Sequence, residues 1–247
     1  MKKIIYSAGI AAVLAIVVIS CKKSGSETAV TNLSPDELAM VSAAGFNANW
    51  AERNADGNYL IEGDILLTKA QLEEMRGAAP AHNFIVADEE HYRTNNVVST
   101  PSTGVRTITV SLGAGFPSYY SAALDNALAR YNNLGDLKIV FQRVASGGNI
   151  QVSGANLGTT STGGCILGQA SGFPSASGNP SPGFTLSTSS CATSYLNTID
   201  KADEVMAHEI GHCIGFRHTD YKRRNSCGPG GGESAGTIGA VHIPGTP

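Results

Sequence analysis

Thirteen residues near the end of the 247-residue chain constrain its fold more than any other stretch: His208-Glu209-Ile210-Gly211-His212-Cys213-Ile214-Gly215-Phe216-Arg217-His218-Thr219-Asp220. On a helix, His208 and His212 stand one turn apart, about 40° from each other, while Met206, Ile210, Cys213 and Ile214 gather on the opposite side. One face is then spoken for by the core and the other by an ion. Gly215 can end the helix in a left-handed turn that swings His218 back to the same point. Three imidazoles are the protein ligands of a catalytic zinc whose fourth position is left to water. Zinc lowers the pKa of that water and polarises a carbonyl, and Glu209 is placed to take the water's proton and pass it to a leaving amine. The residues therefore predict amide hydrolysis without a covalent intermediate. The plainer reading is a closed structural zinc site. It needs a fourth protein ligand, and Cys213 points about 100° away from His212 whereas Asp220 is within reach. A structural site has no use for Glu209.

Charge narrows the partners. With 17 basic and 20 acidic residues the net charge is -3, and no basic face of the kind that nucleic-acid phosphates require is present. Charged residues make up 15% and the apolar set 42%, with 29 glycines, which describes a loop-rich globular chain and not a disordered one.

The first twenty residues are set apart from the fold. Lys2 and Lys3 precede an apolar run from Ile4 to Ile19, followed by Ser20 and Cys21, the order of a secretory signal. The run falls short of the ~20 residues that span a bilayer. Val18-Ile19-Ser20-Cys21 resembles the lipobox of bacterial lipoproteins, which implies cleavage before Cys21 and a lipid on its thiol. Losing Lys2 and Lys3 would leave 15 basic against 20 acidic residues. The expectation is a signal at 1–20, a flexible tether at 21–32, and a protein in the cell envelope or outside the cell whose membrane contact is the lipid anchor at Cys21.

Ser34-Pro35-Asp36-Glu37 reads as a helix start, with Leu38, Val41 and Ala44 on one face and Gly45 as the stop. Tyr59 to Leu67 reads as a strand, and Thr68 caps a helix through Met75. Ser, Thr, Pro and Gly cluster at 98–104, placing a soft boundary that separates an N-terminal unit, 33–103, from the domain at 104–247. Beyond it, strands are predicted at Arg106–Leu112, Leu137–Val144, Asn149–Val152, Cys165–Gln169 and Gly183–Ser187. One helix carries Tyr120, Leu124, Ala127, Leu128 and Tyr131, and another starts at Asp200, with Asp203 and Glu204 in its first turns. The fold class is α+β, with a three-layer α/β/α-like arrangement of a twisted mixed sheet and helices, beside a small N-terminal α/β unit.

With Cys21 assigned to lipid, four cysteines remain and allow three pairings. Near-neighbour pairing favours Cys165 with Cys191 and Cys213 with Cys227; the alternative makes Cys213 a buried core thiol. Asp220 is either an orienting partner for a ligand histidine or solvated. Tyr221 offers a hydroxyl after the motif. His82, His91 and His242 lack partners at ligand spacing and read as surface or loop residues, and Lys222, Arg223 and Arg224 as a solvated run.

His208, Glu209, His212, Gly215 and His218 match the H-E-x-x-H-x-x-G-x-x-H pattern of metzincins. The literal string His-Glu-Ile-Gly-His on a lipoprotein-like chain resembles the bacterial dual-action HEIGH metallopeptidases. The resemblance implies a zinc endopeptidase acting on protein or peptide substrates, with His208, His212 and His218 as ligands and Glu209 as general base. It also implies a cleft whose edge strand pairs with substrate, placed here between Asn149 and Gln169. Metzincins carry a methionine in a turn after the third histidine, but Met1, Met40, Met75 and Met206 all precede His218. The expectation is a catalytic domain cut short before that turn. Ile61-Glu62-Gly63-Asp64-Ile65 resembles the F-x-G-D segment of astacin propeptides, with Ile61 in place of Phe; that resemblance implies Asp64 on the zinc and a latent enzyme. Gly63-Asp64 is equally an ordinary turn. The competing function class is a non-catalytic zinc-stabilised lipoprotein that binds protein or glycan, favoured by the missing methionine as Glu209 favours the enzyme.

Overall fold

The computed structural model describes residues 33–75 (except 45, 47 and 55), 91–219 (except 161 and 162), 221, 235 and 237–244. The signal, the tether and Cys21 lie outside the described residues, as do His82, Asp220, Lys222, Arg223, Arg224 and Cys227.

Helix α1, Pro35–Ala44, starts on a reciprocal cap: Glu37 N–H donates to Ser34 Oγ at 3.4 Å, and Ser34 N–H donates to the Glu37 carboxylate at 2.8 Å. Strands β1 (Ala51–Arg53), β2 (Tyr59–Ile61) and β3 (Ile65–Leu67) come next, then α2 (Lys69–Glu74) with Thr68 and Gln71 forming its capping box. The stretch 59–67, read from sequence as one strand, is a hairpin. Glu62 and Gly63 both take positive φ, 56° and 87°, which reverses the chain and sets Ile61 opposite Ile65.

The remaining elements are β4 (Tyr92–Arg93), β5 (Arg106–Leu112), α3 (Tyr119–Asn132), β6 (Ile139–Val144), β7 (Ile150–Ala155), β8 (Gly168–Ala170), β9 (Gly183–Ser187), α4 (Ser190–Tyr195), α5 (Ile199–Ile214) and β10 (Val241–His242). Among the described residues one mixed sheet runs β1-β2-β3-β8-β9-β7-β5-β6. Strands β5, β6, β7 and β9 are mutually parallel; β8 runs antiparallel to β9. The fold is α+β, as expected. Two expectations change. Strand β7 lies inside the sheet, between β5 and β9; of the strands between 149 and 170, β8 lies farthest out in this half, and β3 already pairs with it through Ile65 opposite Ala170. Helix α4 escaped the sequence reading because Ser190-Cys191-Ala192-Thr193-Ser194-Tyr195 has few strong helix formers; Ser189 caps it.

Apolar side chains divide into two clusters. The larger, with Ile108, Val110, Leu124, Ile150, Phe184, Met206 and Ile210, fills the space between the sheet and α3 and α5. The smaller joins Val41, Phe46, Tyr59, Ile61, Leu67 and Leu72.

Cys165 and Cys191 form a disulfide, as predicted. Cys213 is a free thiol, so the expected bond to Cys227 is absent. It sits on the apolar face of α5, fully buried, where its Sγ donates to Gly183 O at 3.5 Å and burial pushes its pKa up. Cys191→Ser should lower unfolding stability by about 3.5 kcal/mol, the value of closing a loop of this size in the chain-entropy model; urea unfolding without reductant measures it.

Candidate metal centre

Helix α5 begins on Thr198, whose hydroxyl accepts from Lys201 N–H at 3.3 Å, two residues before the Asp200 start read from sequence. Asp203 is buried and ion-paired to Arg130 of α3, which ties the two helices together. Met206, Ile210, Cys213 and Ile214 face the core, leaving His208 and His212 on the other side. The helix ends at Gly215 with φ 112°, a left-handed value that glycine reaches without strain; a Cβ there would also stand 3.0 Å from Asn96 O.

The turn after α5 is held by residues upstream of position 104. Thr94 N–H donates to Gly215 O at 2.8 Å, Arg217 N–H donates to Tyr92 O at 2.9 Å, and Arg93 bridges to Phe216. These contacts return His218 to the first two histidines.

The ligand atoms of His208, His212, His218 and Asp64 lie within 4.8 Å of one another. Asp64 Oδ2 is 3.1 Å from His208 Nε2, 3.5 Å from His212 Nε2 and 2.6 Å from His218 Nε2. His208 and His212 bring their Nε2 atoms to 3.0 Å. His212 Nδ1 donates to Phe216 O at 2.9 Å, which leaves its Nε2 lone pair facing the cluster. Burial, above all, lowers the His212 pKa to about 4 and keeps the ring neutral, the form that binds metals. Burial works to raise the Asp64 pKa, but the charge of His218 and the close contact of the histidine rings outweigh it and hold the carboxyl well below its usual range.

The 3.0 Å between the His208 and His212 Nε2 atoms suits either an N–H···N hydrogen bond or two ligands turned toward one ion. Ligands of a tetrahedral zinc stand ~3.3 Å apart, in the middle of the distances found here, and three imidazoles with one carboxylate are a zinc donor set. The residues present fit zinc. Asp64, which the sequence left open between turn and ligand, closes the β2–β3 turn and brings its carboxylate within ligand distance of the three rings.

Glu209 is 2% exposed beside this cluster. Burial, reinforced by the Asp64 charge, raises its pKa well above the usual value. Two residues the sequence did not single out support the centre. Glu62 Oε1 stands 3.4 Å from the Arg217 guanidinium, and both side chains are buried. Arg217 also donates to Gly239 O at 3.1 Å and lies over the Tyr221 ring. Nothing in the sequence pairs Glu62 with Arg217, because 155 residues separate them. Tyr221 packs on Tyr92 with ring centroids 4.8 Å apart and the rings tilted by 36°, so it belongs to the support behind His218. His91 is exposed, and His242 lies on β10 edge-on to Tyr92.

A cavity of about 530 Å³ opens on His208 and Glu209, walled by Leu60, Ile166, Leu167 and Val205. A second, of about 500 Å³, flanks the histidines on the side of Tyr131 and Phe216.

The sequence profile of the dual-action HEIGH metallo-peptidases matches residues 59–247, from β2 through the end of the chain. The chain belongs to this family. The HEIGH match takes in the Glu62–Asp64 turn as well as the histidine motif. Among solved structures, the chain is similar to myroilysin at 22% identity over 48% of this chain and 52% of that one, with a TM-score of 0.32. It is similar at 15% identity to high choriolytic enzyme 1, a hatching-enzyme zinc-protease from the medaka fish Oryzias latipes. That match covers 60% of this chain and 59% of the other, with a TM-score of 0.32. The chain thus spans between half and three fifths of the solved structures it matches. No curated protein matches it.

Proposed function

We propose that this HEIGH metallopeptidase is a zinc-dependent endopeptidase held latent by its own N-terminal segment, with His208, His212 and His218 as ligands, Glu209 as general base and Asp64 in the position the attacking water needs. The observation that carries the reading is the convergence of three Nε2 atoms on Asp64 Oδ2, at 2.6 to 3.5 Å. Zinc, when bound, supplies a Lewis acid that draws the pKa of a water toward neutrality and polarises a carbonyl. Glu209 accepts the proton of the attacking water and delivers it to the leaving amine. Its burial, which favours the protonated form, suits the second of those tasks. Strand β8 is the surface along which an extended peptide would pair, and β3 holds that place in the latent chain.

The test compares full-length chains carrying Asp64→Ala, with and without Glu209→Ala, for metal content and for cleavage of a denatured protein. Zinc near one per chain in both, with cleavage only where Glu209 is intact, is the expected result. Zinc in both with cleavage in neither would make the centre structural and the chain a binding module.

A further inference from the structure

We propose that Gly168 is the positioning residue that seats the Glu209 carboxylate, an inference that rests on the endopeptidase reading above. Gly168 opens β8, is buried, and pairs with Leu186 across the strand. It is not among the glycines with positive φ, so backbone shape does not demand glycine here. Space does. A methyl group at position 168 would stand 2.5 Å from Glu209 Oε1 and 3.0 Å from its Cδ and Cγ, inside contact distance for three atoms of one side chain. Glu209 is 2% exposed, and the room left to it is the cavity that it lines together with His208 and Val205, away from its present place.

The strand is arranged for this contact. Residues two apart in a strand share a face, so Gly168 and Ala170 lie on one side of β8 and Gln169 on the other. Ala170 is buried in the cluster that contains the apolar face of α5. Two small residues in alternation let α5 approach the sheet closely at the level of Glu209. The backbone of Ala170 also faces the Glu209 carboxylate, whose Oε2 makes no hydrogen bond among the described residues. The carboxylate is therefore fixed chiefly by what it touches. Any side chain at 168 drives it out of line, either toward the histidines or along the helix, and the proton it must collect is then out of reach.

A cycle of four full-length chains tests this: unchanged Gly168 or Gly168→Ala, each with Glu209 or Glu209→Ala. Thermal unfolding with zinc is measured on the four as they stand, and cleavage kinetics on the same four carrying Asp64→Ala. Gly168→Ala should lower kcat by about 100-fold, within the range a general base supplies, with KM and zinc content unchanged. It should also lower Tm by about 4 °C or more. With Glu209→Ala, where the clash is gone, the same substitution should change neither residual rate nor Tm. Equal losses in both backgrounds would assign Gly168 to strand packing and overturn the proposal, as would no loss in either. The Tm arm needs no catalysis. Coupled Tm shifts with no cleavage by any chain would overturn the endopeptidase reading and the positioning role with it, while additive shifts with cleavage intact would overturn the positioning role alone.

Discussion

Asp64→Ala in the full-length chain should raise peptidase activity by about 100-fold, with zinc still near one per chain. In the latent reading the carboxylate oxygen lies where a water would enter, 2.6 to 3.5 Å from the three Nε2 atoms. A plug favoured by only ~2.7 kcal/mol leaves about 1% of the molecules open, so removing its ligand atom exposes the remaining 99%. The turn itself stays over the cleft, because Glu62 still faces Arg217 and Ile65 still pairs with Ala170. Hydrolysis of a quenched peptide before and after the substitution measures the effect, and an unchanged rate would remove Asp64 as the plug. Zinc affinity should fall modestly, since three of the four donors remain.

A chain beginning at residue 104 should fail to hold zinc, whereas one beginning at His91 should keep it. The clustering of Ser, Thr, Pro and Gly suggests a boundary near 104, yet the residues just upstream are stitched to the end of α5. The backbone hydrogen bonds lost would include four that tie 92–99 to the rest of the domain: Thr94 to Gly215, Arg217 to Tyr92, Asn95 to Ile238 and Ser99 to Gly178. At about 1 kcal/mol each, with a further ~2 kcal/mol apiece for burying Tyr92 and Val98, the loss approaches 8 kcal/mol. Native stabilities are about 5–15 kcal/mol, so little would be left. Metal content and the urea midpoint of the two chains decide it; equal zinc binding by both would show that the Gly215–His218 turn holds itself.

Much of the chain could be read locally. The caps at Ser34 and Thr68, the alternation of Arg106–Leu112 and the apolar stripe of α3 each depend on neighbours within a turn or a strand. The misread elements depend on partners far away. Tyr59–Leu67 is apolar enough for one strand, and only the positive φ at Glu62 and Gly63 breaks it. Cys213 and Cys227 are close in sequence, but the helical phase of Cys213 turns its thiol into the core.

Local chemistry was enough to specify the histidine centre, because a helix of fixed pitch and a glycine that permits a left-handed turn leave three imidazoles little choice of where to meet. Long-range packing settled what faces them. Asp64 stands 144 residues before His208, Glu62 stands 155 before Arg217, and Gly168 lies against Glu209 across a strand–helix contact. No local period or propensity carries such pairings; they arise when β3 joins β8 and when α5 packs on the sheet closely enough that a single methyl group would not fit.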